Sequence, residues 1–151
     1  MTYRLDLLRN FCRLAPLERR LLAQAWLAFH LIDVALRLLP FDTVRAWCHV
    51  VRPPRPGHAG MPSSLSVTRC AWLVGVAGRY SLVNATCLKE ALVMARLLGG
   101  WGTATALRIG VARSDGGLTA HAWLEQDGRI VFNPATTAAY APLHPCRHGA
   151  S

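Results

Sequence analysis

The chain has 151 residues, enough for one domain with a core of its own and too few for two of ordinary size. Hydrophobic residues make up 52%, which excludes general disorder. Lys and Arg outnumber Asp and Glu by 17 to 8, for a net charge of +9, a balance that suits an acidic partner. Lys89 is the only lysine, and the arginines are scattered with no run of five basic residues, so compositional bias and solubility explain the excess equally well.

The first residues, MTYRLDLLRN, carry no signal-peptide apolar region. The most apolar stretch, Leu21 to Leu39, is interrupted by Gln24, His30, Asp33 and Arg37, which argues against a transmembrane segment. Five cysteines, Cys12, Cys48, Cys70, Cys87 and Cys146, are odd in number and widely spaced, without a CxxC. A disulfide framework is not expected, and the reducing cytoplasm is the expected location.

Residues 1–51 read as a helical region. Leu17, Leu21, Ala25, Phe29, Ile32, Leu36 and Leu39 recur in steps of three and four, which predicts a helix with one apolar face. Pro16 suits its start and Pro40 its end. A short helix follows from about Asp42 to Val51. Residues 52–64, rich in Pro and Gly, form a loop. The rest, residues 65–143, is the core of the single domain, with a tail at 144–151. The run from Ser64 to Tyr80 predicts a helix that buries Leu65, Trp72 and Val76. A further helix runs from Thr86 to Gly100, with Leu88, Leu92, Ala95 and Leu98 as its stripe. Asn84 or Thr86 caps it and Gly99 ends it.

Strand patterns follow. Thr105 to Ala112 alternates in part and ends at Ser-Asp-Gly-Gly; Leu118 to Gln126 alternates well; Asp127-Gly128 is a hairpin turn; Arg129 to Asn133 completes a three-stranded meander that Pro134 stops. Helices followed by antiparallel strands make an α+β fold.

Cys87 lies in the first turn of its helix, where unpaired N–H groups and the helix dipole favour a thiolate. The bland alternative is a small buried residue. His121, inside the middle strand, has the chemistry to take a proton from a thiol and return it to a leaving amine, or it is simply a core histidine. Asn133, twelve positions on, depends on hairpin register. A two-residue loop sets Asn133 opposite Ala122. A three-residue loop, Gln126 to Gly128, sets His121 opposite Asn133 and pairs Glu125 with Arg129. The second register is preferred, because Gly128 suits the left-handed last position of such a loop and the charge pair is favourable; an amide oxygen facing His121 would then orient its ring. Asp127 is the nearest acidic alternative, and an Asn-Pro turn the structural one. His144, Cys146 and His148 lie close together without a second ligand pair, so no metal is expected. GxSxG, GxxxxGK[ST] and HExxH are absent, and LLGGWG follows a helix where a phosphate loop would open one.

The order of a helix-start Cys in T-C-L, LLxxxG, R-I-G-V and A-H-A-W-L-E-x-D-G-R resembles the lasso-peptide leader peptidases, transglutaminase-like proteins of lasso-peptide biosynthesis. The N-terminal L-L-A-x-A-W…L-R-L-L-P-F is similar to their helical region. The resemblance runs from about Leu17 to Leu143. It implies a transglutaminase-like or papain-like core, with the Cys-bearing helix packed on an antiparallel sheet. It implies a cysteine peptidase that needs no cofactor and removes the leader from a ribosomally made precursor, with Cys87 as nucleophile and His121 as base. Asn133 stands where that family often has aspartate, and neutral Asn is still able to orient the ring. The implied partners are the precursor leader peptide, a separate leader-binding recognition protein, and the lasso cyclase that closes the ring on the freed amine. A non-catalytic peptide-binding module of the same fold is the alternative. An arginine-rich nucleic-acid binder has the charge but no recognised motif, so no nucleic-acid partner is expected.

Overall fold

The computed structural model describes residues 14–49, 61–62, 65–114, 117–133 and 140–143. The proposed tail ligands and most of the 52–64 loop lie outside them. Among these residues four helices precede four strands: α1 (Pro16–Leu38), α2 (Phe41–Cys48), α3 (Val67–Arg79), α4 (Cys87–Gly99), β1 (Ala106–Ser114), β2 (Gly117–Gln126), β3 (Arg129–Phe132) and β4 (Ala141–Pro142). The strands form one antiparallel sheet in the order β3-β2-β1-β4. This is the α+β arrangement expected of the pattern. The three-stranded expectation falls one strand short, because β4 adds to the free edge of β1 and carries no alternation long enough to read.

α1 buries Leu21, Ala25, Ala28, Phe29 and Ile32 against α3 and α4. Its length and composition would also allow a membrane crossing. In the fold, though, Glu18, His30 and Asp33 meet partners elsewhere in the chain: Arg69, the Leu82 N–H and Lys89. α3 differs from its expected face. Trp72 is exposed, beneath the Arg69 guanidinium at 4.2 Å, and the buried set is Cys70, Leu73, Val74, Ala77 and Gly78. Small residues win this face because α3 lies close to its neighbours. A Cβ on Gly78 would come within 3.1 Å of both the Phe29 ring and Ala85. α4 lies on β2, and Leu92, Met94 and Leu98 meet Leu124 and Phe132 in the same core. Burying each such side chain contributes about 1.5–3 kcal/mol, so this layer is the main source of stability.

One polar tie crosses the core margin. Lys89 Nζ donates to Asp33 Oδ1 at 2.5 Å and to the Asn84 carbonyl at 2.8 Å, while Arg37 Nε donates to Asp33 Oδ2 at 2.9 Å. The Lys89 and Asp33 side chains are only 14% and 9% exposed, so the pair is largely shielded from water. It fastens the first turn of α4 to the middle of α1.

The hydrogen bond from Lys89, more than any other cause, holds the Asp33 carboxyl below the usual carboxylate range. With the folded value below the unfolded one, this stabilisation is complete above the unfolded value, about 4, and is lost as pH falls through the folded value. Asp33→Asn should therefore lower the urea midpoint at pH 7. The gap to wild type should narrow between pH 7 and about pH 2, as Asp33 takes up its proton. An equal gap at the two pH values would contradict this role.

Candidate active site

Cys87 is the first residue of α4. Of the two expected caps, Thr86 is the one used: its hydroxyl accepts the Lys89 N–H at 3.4 Å. Gly99 remains helical, and the Gly100 cap keeps right-handed angles. The segment leading into Cys87 is pinned to α1. Leu82 N–H donates to His30 Nε2 at 3.3 Å, which leaves Nδ1 to donate to the Trp26 carbonyl at 2.8 Å. Trp26 Nε1 in turn donates to the Tyr80 carbonyl at 3.1 Å. Cys87 is half-buried against the core, with first-turn amides that have no partner inside the helix.

His121 lies on β2 opposite Gly110 of β1. Glycine is required there, because a Cβ would come within 2.9 Å of both the Trp123 ring and Tyr140 Cβ. Those two aromatics flank the imidazole, with ring centroids 6.2 Å and 5.4 Å away. His121 Nε2 stands 3.2 Å from the main-chain oxygen of Asn133. A carbonyl only accepts, so this contact places the proton on Nε2 and leaves Nδ1 with the lone pair of the neutral ring.

The hairpin differs from the preferred register. Asp127 and Gly128, at φ 49 and 76, form a two-residue turn, and Gln126 pairs with Arg129. The pairing then slips by a further residue, from Glu125↔Ile130 to Leu124↔Phe132, a β-bulge. Glu125 pairs with Arg108 at 2.9 Å, on β1, and Arg129 is not its partner. Asn133 still reaches His121, by its main chain and not by its amide oxygen. It adopts φ 55, a left-handed angle that Asn tolerates, and its Nδ2 donates to the Ala122 carbonyl at 3.4 Å. The acidic alternative, Asp127, sits in the exposed turn.

Glu90 was absent from the expected site and belongs with it. It lies one turn after Cys87 on α4, half-buried. Burial pushes its carboxyl above the usual value, while a hydrogen bond from the Asn133 side chain and the charge of His121 work the other way. The Cys-x-x-Glu spacing was its one signal, and a first-turn acid ordinarily reads as a helix-dipole partner. Thus His121 and Asn133 are in direct contact, and Glu90 lies one turn after Cys87 on the helix that packs on β2. No hydrogen bond links Cys87 Sγ to the ring among the described residues; such bonds are often long before substrate binds. A groove of about 1250 Å³ is lined by Trp26, Trp72, Tyr80, Asn84, Ala85 and Glu90; Cys87, His121 and Asn133 do not line it. Among the described residues no cluster of metal-ligating side chains occurs.

Burial raises the thiols of Cys48 and Cys70 to about 11. At pH 8 roughly one in a thousand of each is thiolate, the reactive form. Iodoacetamide should therefore modify Cys87 well before Cys48 or Cys70, as peptide mapping would reveal; simultaneous labelling of the three would contradict the geometry. Gly110→Val should displace Trp123 or Tyr140 and destabilise the fold by about 1–3 kcal/mol, as overpacking does, measured by chemical denaturation.

Comparison with known proteins places these elements in a family. No curated protein and no solved structure matches the chain. The sequence pattern of the transglutaminase-like superfamily matches residues 30–144, a span that takes in part of α1, all the later helices and the whole sheet. The helix-start cysteine, the strand histidine and the sheet that carries it all fall inside that match, and the chain belongs to the transglutaminase-like superfamily.

Proposed function

We propose that the protein is a cysteine peptidase that removes the leader from a lasso-peptide precursor, with Cys87 as nucleophile and His121 as base. The observations that carry the reading are a thiol at the start of α4, the helix that packs on β2, and an imidazole on β2 whose Nε2 is already committed to a main-chain carbonyl. Membership of a superfamily that includes cysteine peptidases supports it.

The chemistry follows from those atoms. His121 Nδ1 takes the thiol proton, and Sγ attacks the carbonyl carbon of the scissile peptide. First-turn amides of α4, the Cys87 N–H among them, are suited to the oxyanion that forms. The imidazolium then protonates the leaving amine, which departs as the new N-terminus of the core peptide. Water hydrolyses the thioester, releasing the leader carboxylate and restoring the thiol. A cyclase would use the freed amine for ring closure. The groove beside Glu90 is walled in part by the aromatic side chains of Trp26, Trp72 and Tyr80. The leader would be delivered in the cytoplasm by a separate leader-binding protein, for which the exposed arginines are candidate contacts.

The test is cleavage of the precursor encoded nearby, with and without the neighbouring leader-binding protein, under single-turnover conditions. Wild type should cut, faster with that protein present. Cys87→Ser should stay folded and lose at least about a thousandfold in rate, as nucleophile removal does elsewhere. Wild-type speed in Cys87→Ser would refute the mechanism. Tight precursor binding without cleavage would point to a peptide-binding module.

A further inference from the structure

α1 is apolar on the side that meets no other element as well as on the side that does. Leu27, Leu31, Val34 and Leu38 are each between 50% and 75% exposed, and steps of four, three and four set them in one row along the helix. The row is roughly 16 Å long, at about 1.5 Å per residue. Gln24 and Arg20 extend it toward the start of the helix, and Leu39 and Phe41 follow its other end, exposed as well. The face buried against α3 and α4 is a different one, made by Leu21, Ala25, Ala28, Phe29 and Ile32. Single exposed leucines are ordinary, but a row of four on one helix marks a surface that something covers.

We infer that this outward face of α1 binds an anionic lipid surface: the row Leu27, Leu31, Val34 and Leu38 enters the acyl boundary, and Arg19, Arg20 and Arg37 meet the lipid phosphates. The inference does not rest on the peptidase reading.

Charge selects lipid among the possible covers. The acids of α1 and α2 are all engaged: Glu18 by Arg69, Asp33 by Lys89 and Arg37, and Asp42 by Arg45. Glu18 and Asp33 are also turned away from the row, with side chains only 18% and 9% exposed. Arg19 and Arg20 have no acid partner among the described residues, and the Arg37 side chain, next to Leu38, is 74% exposed. The outward face thus offers apolar groups and cations without an acid. A second copy of the chain would set the same cations against it, at a net charge of +9 on each copy. An anionic surface meets both features at once.

Shape agrees. None of the four row residues lines the groove beside Trp72 or the smaller cavity between α2 and β1, so the face has no pocket to receive a partner's side chain. Lipid chains need none. α1 is long and apolar enough to cross a membrane, but crossing would strip its inner face from α3 and α4. With that face occupied, only the outward half is available, and the helix lies in the plane of the interface.

The test uses the whole chain with sedimented vesicles and needs no precursor. Vesicles of phosphatidylglycerol mixed with phosphatidylcholine should carry the protein down, and vesicles of phosphatidylcholine alone should hold it at least about tenfold more weakly. Leu27→Gln combined with Leu31→Gln should weaken binding to the anionic vesicles about tenfold or more. Arg19→Gln combined with Arg20→Gln should weaken it about fivefold or more. Leu118→Gln, at an exposed leucine of β2 outside the face, should bind as wild type does. Circular dichroism and the urea midpoint check folding. If the double leucine variant loses its fold, Leu38→Gln, at the most exposed of the four positions, repeats the comparison. Wild type that stays in solution with anionic vesicles overturns the inference. So does a folded leucine variant that binds as tightly as wild type, or a Leu118→Gln protein that loses as much as the leucine pair. A wild-type dimer in sedimentation velocity that the leucine changes split, without vesicle binding, would assign the face to a second copy and overturn the lipid reading.

Discussion

The first turn of α4 is anchored by Lys89, which reaches across to Asp33 on α1 and back to the carbonyl of Asn84. With the pair largely shielded from water, breaking it by removing one partner would leave a charge with poor alternatives. Its consequence is local precision. Lys89 lies two residues after Cys87, and Asn84 three residues before it. The clamp therefore sets both the entry of the chain into the helix and the position of the thiol. His30 and Trp26 add to the same end, by hydrogen bonds from α1 to residues 80–82. The N-terminal helix is thus part of the site's scaffold and more than a cover for the core.

The sheet contributes the other half by an irregularity. A regular hairpin would carry β3 alongside β2 in unbroken register. Here the tight Asp127-Gly128 turn is followed by a bulge, and the strand ends at Phe132. Asn133 then turns left-handed, and its carbonyl is released from the ladder to meet His121. Gly110, Trp123 and Tyr140 complete the surroundings of the ring: one position has no side chain so that two large ones fit. Bulges commonly re-aim residues beside functional sites, and this one selects which atom of Asn133 faces the imidazole.

Polar groups at the site follow different rules from those in the core. Cys48 and Cys70 sit in apolar surroundings that suppress ionisation, whereas Cys87 is half-buried at a helix start. Asp33 is kept ionised by a cation, while Glu90 is half-buried with only an amide and an imidazole to support it. A carboxyl retained in so unfavourable a place is more readily explained by the site than by the fold.

Much of the architecture was legible in the chain itself, because it follows from local physics. The 3.6-residue period of α1, the Thr86 cap, the small set of strands around Asp127-Gly128, and the α+β order all depend on neighbours within a few positions. Cys87 and His121 stood out for the same reason: a thiol at a helix start and a histidine in an apolar strand are local facts. The buried face of α3 was not legible, since exposure of Trp72 and burial of Gly78 depend on how closely α1 approaches. Nor was the hairpin register, where the residues favoured a three-residue loop but the structure has a two-residue turn and a bulge, with Leu124 and Phe132 packed in the core. The short β4 needed an open edge on β1 to pair with. Glu90 shows the limit most clearly. Its type and spacing were visible, but its electrostatic surroundings include a strand end more than forty positions away, which only the tertiary structure supplies.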